Sequence, residues 1–235
     1  MPIALVTGAS RGLGKALAQE LGRRGWQLVV DARNGEVLKD AAQGFGNTSR
    51  VAALAGDVGD PTHRDEMVQA VHRMGRLDLL VNNASTLGPV PRPDLGAYPL
   101  DELERVIQIN TIAPLGLIQA LLPELTANAG SIINVSSDAA VEPYAGWGGY
   151  GSSKAALDQL SAVLAEEQPA VRIYSFDPGD MRTEMQQQAF PGEDISDRAE
   201  PKVVVPSMLR LVDERPPSGR YRANDLRPLS DGSWS

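Results

Sequence analysis

Apolar residues recur along this chain in two alternating rhythms. Short runs dense in Val, Ile and Leu occupy 3–7, 27–31, 51–55, 77–81, 131–136 and 171–175. Runs this short and this continuously apolar suit strands buried on both faces. Between them the apolar positions return every three or four residues: Leu13, Leu17 and Leu21; Met67, Val68 and Val71; Leu103, Val106 and Ile107, continuing through 117–122; then Ala156, Leu157, Leu160, Val163 and Leu164. That spacing puts an apolar stripe along one side of a helix. Parallel strands need crossover connections, and helices supply them. The predicted fold class is therefore α/β: a doubly wound Rossmann fold, its sheet predominantly parallel, with helices on both faces.

No linker divides the chain, so a single domain is expected over 1–223, followed by an irregular tail over 224–235 that carries Pro228 and Gly232. The stretch 186–202 has little apolar periodicity and contains Pro191, Gly192 and Pro201. It reads either as a substrate lid or as an ordinary surface loop before a short helix over 204–212.

Composition narrows the chemistry. With 235 residues, 42% hydrophobic and 22% charged, the chain falls among ordinary globular domains. No single apolar run approaches the ~20 residues of a bilayer span, and the first residues lack a basic region, so neither a membrane nor a secreted protein is expected and a cytoplasmic one is. The net charge of −8, without blocks of like charge, disfavours nucleic acid as a partner. There is no cysteine, and the two histidines, His63 and His72, stand nine apart. Thiolate chemistry, disulfides and a metal site are thereby set aside. What remains is hydroxyls, lysine, carboxylates, amides or a bound organic cofactor.

The loop Thr7-Gly8-Ala9-Ser10-Arg11-Gly12-Leu13-Gly14 leaves the first strand and opens the first helix. Small residues there let backbone amides and the helix N-terminus approach a phosphate. Its spacing, Gly-x3-Gly-x-Gly, fits neither the Walker A loop nor Gly-x-Gly-x-x-Gly. Asp57 follows the third strand, Asn83 the fourth, Ser137 the fifth and Pro178 the sixth. Five such clusters at the carboxyl ends of one sheet lie where open α/β sheets bind ligands.

The loop, Asp57-Val58, Asn82-Asn83-Ala84-Ser85, Asn110, Ser136-Ser137, Tyr150-x3-Lys154 and Pro178-Gly179 together resemble the short-chain dehydrogenase/reductase family over nearly the whole chain. Ser85 departs from that pattern, which usually has Gly there. Pro143-Tyr144-x2-Trp147-x2-Tyr150 and the segment from Pro178 through Met185-Gln186-Gln187 are similar to the sepiapterin reductase-like branch. The resemblance implies an NADP-dependent oxidoreductase acting on a small carbonyl compound. It gives Tyr150 the role of general acid, Lys154 that of an electrostatic and ribose-binding partner, Ser137 that of substrate orientation, and Asn110 that of positioning a water. It implies cofactor contacts from Gly8, Ser10, Arg11, Gly12, Leu13, Gly14, Asp57, Val58, Asn83, Ala84, Ser85, Pro178, Gly179, Met181 and Thr183. It also implies a homodimer or homotetramer built through 103–122 and 153–166.

Strand two ends Asp31-Ala32-Arg33. Side chains alternate along a strand, so Asp31 should point away from the ribose; the resemblance implies that Arg33 and Arg11 occupy the family's two basic positions, where the 2′-phosphate of NADP would be met. Tyr150 and Lys154, four apart, share one helix face, and an ammonium there would lower the phenol's pKa. Tyr144, Trp147, Met181 and Met185 are candidates for an apolar wall suited to an aromatic ketone or vicinal dicarbonyl. Two rival readings stand beside this one. The first is a non-catalytic NADP-sensing or scaffold protein on the same fold, which has no need of the Asn, Ser, Tyr and Lys set. The second is a 3-oxoacyl thioester reductase, whose acidic carrier protein suits a chain of charge −8 poorly.

Overall fold

The computed structural model describes residues 1–46 and 50–226. Its strands are β1 (Ile3–Val6), β2 (Gln27–Ala32), β3 (Val51–Ala55), β4 (Leu79–Asn82), β5 (Ser131–Val135), β6 (Arg172–Asp177) and β7 (Gly219–Arg222). They form one sheet in the order β3-β2-β1-β4-β5-β6-β7, every pair parallel. The helices are α1 (Gly12–Arg23), α2 (Gly35–Ala42), α3 (Pro61–Met74), α4 (Leu100–Ile107), α5 (Ala113–Ala127), α6 (Gly148–Glu167), α7 (Glu184–Ala189) and α8 (Pro201–Asp213). The predicted doubly wound fold is the one observed.

Alternation along the strands divides the core in two. Ala4 and Val6 of β1 join Val30, Val81, Ile133 and Phe176 under α1 and α8, while Ile3 and Leu5 join Val29, Leu80 and Ile132 under α3 and α5. Both faces of β1 are covered, which is why all four of its residues are buried. The edge strand β3 is only partly covered.

Two elements lie outside the periodic reading. β7 is Gly-Arg-Tyr-Arg, an edge strand whose polarity carries no apolar signal. The eight-residue α2 is announced only by its cap, Asn34, whose side chain accepts from the amides of Glu36 and Val37. The expected irregular tail begins instead with a 3₁₀ turn over Ala223–Leu226 whose two ends are buried, and the rest of that expectation, 227–235, lies outside the described residues. α4 and α5 run together through a π turn, Gln108–Ile112, as a helix over Leu100–Ala127. An 18-residue window of it reaches a mean hydropathy of 1.5, enough by length and composition to cross a membrane, although no single apolar run in the sequence is that long. Half of the window is buried, with α5 against α3, β4 and β5. Its apolarity is thus used in the core.

A chain of buried amides fixes α6 against the centre of the sheet. Asn82 donates to Asn134 at 2.8 Å, Asn134 donates to Ser161 of α6 at 2.8 Å, and Ser161 donates to the Leu157 carbonyl at 2.7 Å. Removing a middle link strands two buried polar groups, each worth ~1–3 kcal/mol. Asn134→Ala should therefore lower unfolding stability by ~2–4 kcal/mol in urea titration. A loss below ~0.5 kcal/mol would mean that neighbouring groups re-pair without it.

Candidate active site

The crevice opens where β1 and β4, neighbours in the sheet, release their chains in opposite directions. Gly8 has φ +67, and a Cβ on it would come within 3.0 Å of the Ala84 backbone. A Cβ on Gly14 would lie 2.5 Å from the Gly8 carbonyl oxygen. Both positions exclude side chains, and the loop can bend tightly onto α1. Arg11 sits at the N-cap of α1 without a side-chain capping bond, which leaves the first-turn amides free for an anion.

Two polar groups brace this loop. Thr7 Oγ1 accepts from the amides of Asn83 and Ala84 at 2.9 and 3.0 Å, and Asn83 Nδ2 returns bonds to the carbonyls of Thr7 and Gly8 at 2.8 and 3.2 Å. Asp31 accepts from the Gly8 amide at 2.8 Å and stands 3.4 Å from His63 Nε2. Asp31 consequently braces the loop, while it also borders the cavity. Its carboxylate holds the His63 imidazolium above the ordinary histidine range, against the opposing effect of burial. The role of Asp31 and His63 in bracing the loop had no sequence signal, because neither the fold's period nor a motif pairs them.

One cavity of about 1480 Å³ runs from Arg33, Asp57 and Val58 to Trp147 and Phe190. Every residue expected in the site borders it except Gly14 and Asn110. Gly14 lies behind the loop it lets close. Asn110 is fully buried in the π turn: its Oδ1 accepts from Thr86 N and Ser85 Oγ at 2.9 and 3.1 Å, and its Nδ2 donates to the Thr86 carbonyl and Ser153 Oγ, both at 2.9 Å. All four bonding positions of that amide are taken within the protein. It ties the β4 loop to α6.

At the phosphate end the two arginines differ. Arg33 is exposed, with no ion-pair partner among the described residues, whereas Arg11 is paired with Glu184 of α7. Both border the cavity. Asp57 caps Gly59 N at 2.8 Å. After β6, Gly179 N donates to Asp177 Oδ1 at 3.0 Å, and Thr183 caps α7 through the Gln186 amide at 3.2 Å.

Tyr150 and Lys154 are buried on one face of α6. The lysine Nζ donates to the Val135 carbonyl at 2.8 Å and lies 5.6 Å from the tyrosine ring centroid. Burial pushes the phenol up, opposed by the hydroxyls of Ser137 and Ser85, and burial also pushes the Lys154 amine down to about 8. We expected the ammonium to lower the phenol. Here desolvation dominates both groups, because neither meets an opposite charge directly. Ser137, following β5, donates to Asp138 Oδ1 at 2.9 Å. Its carbonyl is held at 2.9 Å by Arg220 of β7, which also pairs with Asp158 and Asp177.

The apolar wall contains Trp147, edge-on to Tyr150 at 5.7 Å and 5.9 Å from Phe190, with Met185 and Leu87 in the same cluster. Phe190 and Leu87 escaped the sequence reading because they stand alone in irregular segments. Two expected members differ. Tyr144 is 46% exposed and donates its hydroxyl to Asp138 Oδ2 at 3.1 Å, and Met181 packs toward the α1 and α8 core while bordering the cavity. The stretch 186–202 begins inside α7, crosses an irregular segment tied back by Arg182 N to the Ala199 carbonyl at 2.8 Å, and ends in α8.

A model of the short chain dehydrogenase family matches residues 2–194. The chain belongs to this family. It is an oxidoreductase on the sepiapterin reductase-like branch of the short-chain dehydrogenases: mouse sepiapterin reductase is 35% identical over 201 residues, 80% of this chain and 77% of that protein. A 3-oxoacyl-acyl-carrier-protein reductase of rhamnolipid biosynthesis from Pseudomonas aeruginosa is 37% identical over 176 residues, 70% of this chain and 66% of its own. Among solved structures, a short chain dehydrogenase from Shigella flexneri complexed with NADP superposes with a TM-score of 0.88 at 31% identity, covering 95% of this chain and 97% of that one.

The depressed amine of Lys154 makes a stability prediction. A folded value near 8 against an ordinary 10.5 means the charge costs stability at low pH, and the cost fades as pH rises through about 8. Lys154→Met should therefore be more stable than the parent at about pH 7, by ~1–3 kcal/mol, with the advantage shrinking toward pH ~10. Urea midpoints at the two pH values decide it. An advantage independent of pH would show that the amine is not the source.

Proposed function

We propose that this short-chain dehydrogenase is an NADPH-dependent carbonyl reductase that reduces a ketone or vicinal dicarbonyl, with Tyr150 as general acid. The observation that carries the reading is a single cavity bordered at one end by a helix N-terminus without a side-chain cap and by Arg33, which has no ion-pair partner among the described residues, and at the other by Ser137 and Tyr150. The residues fit the dinucleotide. Gly8 and Gly14 clear the space a Cβ would fill, the α1 amides would hold the pyrophosphate, and Arg33 would pair with the 2′-phosphate. Bound there, NADPH supplies a hydride to the carbonyl carbon.

The chain's own groups do the rest. Ser137 and Tyr150 hold the carbonyl oxygen, and the phenol passes its proton to that oxygen as negative charge develops. Burial keeps the phenol protonated through neutral pH, the state reduction requires. Alcohol oxidation needs the phenolate, so it gains as pH rises. Lys154 would hold the nicotinamide ribose, and Asn110 keeps the β4 loop and α6 in register. Trp147, Phe190 and Met185 cover a planar substrate, with the stretch 186–202 closing over it. Exposed Ile112 and Val163 supply apolar contacts for a homodimer or homotetramer through the α4–α5 and α6 faces.

Tyr150→Phe should lower turnover by at least ~100-fold while NADPH still binds, since a lost general acid costs ~10²–10⁴. Near-normal turnover on benzil-like and phenyl-dione substrates would overturn the assignment. Arg33→Ala should raise the Michaelis constant for NADPH by ~10-fold or more and leave that for NADH nearly unchanged, because a phosphate–guanidinium pair is the lost interaction. Equal use of both nucleotides by the parent would mean Arg33 does not read the phosphate. Higher efficiency on acetoacetyl thioesters than on diketones would favour the acyl reductase reading, which the Pseudomonas relative resembles.

A further inference from the structure

Ser137 carries one proton, and the structure gives it to a carboxylate. Its Oγ accepts from the Ala139 amide at 3.2 Å and donates to Asp138 Oδ1 at 2.9 Å. The other carboxylate oxygen, Oδ2, accepts from the exposed Tyr144 hydroxyl at 3.1 Å. Asp138 is half-buried, borders the cavity on the substrate side, and has no ion-pair partner among the described residues. The guanidinium of Arg220, which holds the Ser137 carbonyl, is also bound to Asp158 and Asp177.

This arrangement penalises a neutral ketone. To orient such a substrate, Ser137 must withdraw its proton from a carboxylate, and a charge-assisted bond is roughly twice as strong as the neutral one that replaces it. The same substrate would cover an unpaired carboxylate and strip it of water, which costs unless a partner arrives. A carbonyl compound carrying its own cation or N–H donor removes both costs, because it pairs with Asp138 and releases the serine proton to the carbonyl oxygen.

We propose that Asp138 selects the substrate: the ketone this enzyme reduces carries an ammonium or N–H donor on the carbon side next to the carbonyl, attached to a planar body that lies along Trp147 and Phe190. The inference rests on the carbonyl-reductase reading and specifies its substrate class. It gives the Ser137–Asp138 bond a function, since the bond holds the serine idle until a donor displaces it. The Tyr144 hydroxyl, being exposed, yields its place on the carboxylate to the same donor.

The test compares two isosteres, phenacyl ammonium and propiophenone, with benzil as a general ketone control, using NADPH and the full chain. The parent should prefer the ammonium ketone in kcat/KM by about tenfold or more, and Asp138→Asn should bring that ratio close to one. Because both substrates meet the same sample of enzyme, the ratio is insensitive to how much of the variant folds. Asp138→Leu, which removes the acceptor altogether, should reverse the preference. A parent that favours propiophenone, or a ratio unchanged in both variants, overturns the inference while leaving the reductase reading intact if benzil is reduced. Failure to reduce any of the three would bring down both.

Discussion

The arrangement depends on the junction between β1 and β4. Adjacent parallel strands whose chains depart in opposite directions leave a gap at their carboxyl ends, and nothing in the backbone ladder closes it. Thr7 and Asn83 do. The threonine hydroxyl gathers two amides from the β4 loop, and the asparagine amide returns two bonds to the β1 loop, so the crevice has a fixed floor before any ligand enters. From that floor the glycine loop rises on one side and the Ala84–Ser85 segment on the other.

The second side of the site is set from inside the helical layer. The π turn at Gln108–Ile112 widens one turn of a long helix and directs Asn110 inward, where its amide binds the β4 loop and Ser153 of α6 together. Local π geometry of this kind often sits at functional sites, since it trades helix regularity for an aimed side chain. Ser153 adjoins Lys154 in sequence, so the turn that carries the lysine is registered against the floor of the crevice. The Asn82–Asn134–Ser161 chain repeats the device two turns further along α6.

Strands with residues buried on both faces were readable as apolar runs, and glycines whose missing Cβ makes a turn possible were readable by their position after a strand. β7 was not readable, because an edge strand of alternating Arg needs little burial to form. The orientation of Tyr150 and Lys154 followed from helical spacing, but the electrostatics did not. Spacing says that the two share a face, whereas only the fold shows that the amine bonds to the Val135 carbonyl and that desolvation governs both. Asp31 accepts from the Gly8 amide, and its partner His63 comes from a helix beyond β3. Glu184 neutralises Arg11 across 173 residues of sequence, a contact that no local pattern encodes.

How a chain of net charge −8 accommodates an anionic dinucleotide follows from what its carboxylates touch. Asp31 lies under the glycine loop with an amide donor and an imidazole, and Asp57 is turned onto the Gly59 amide with Arg105 3.6 Å away. Asp31 and Asp57, although both border the cavity, thus accept from hydrogen-bond donors of the protein, and their field is partly cancelled where the pyrophosphate would lie. The favourable field then comes from the free amides of α1 and the exposed Arg33. At the substrate end the bookkeeping differs: Asp138 meets only hydroxyls and one amide, none of them a full positive charge. One cleft therefore offers opposite polarities at its two ends, with an anion favoured at the helix terminus and a donor favoured beside Ser137.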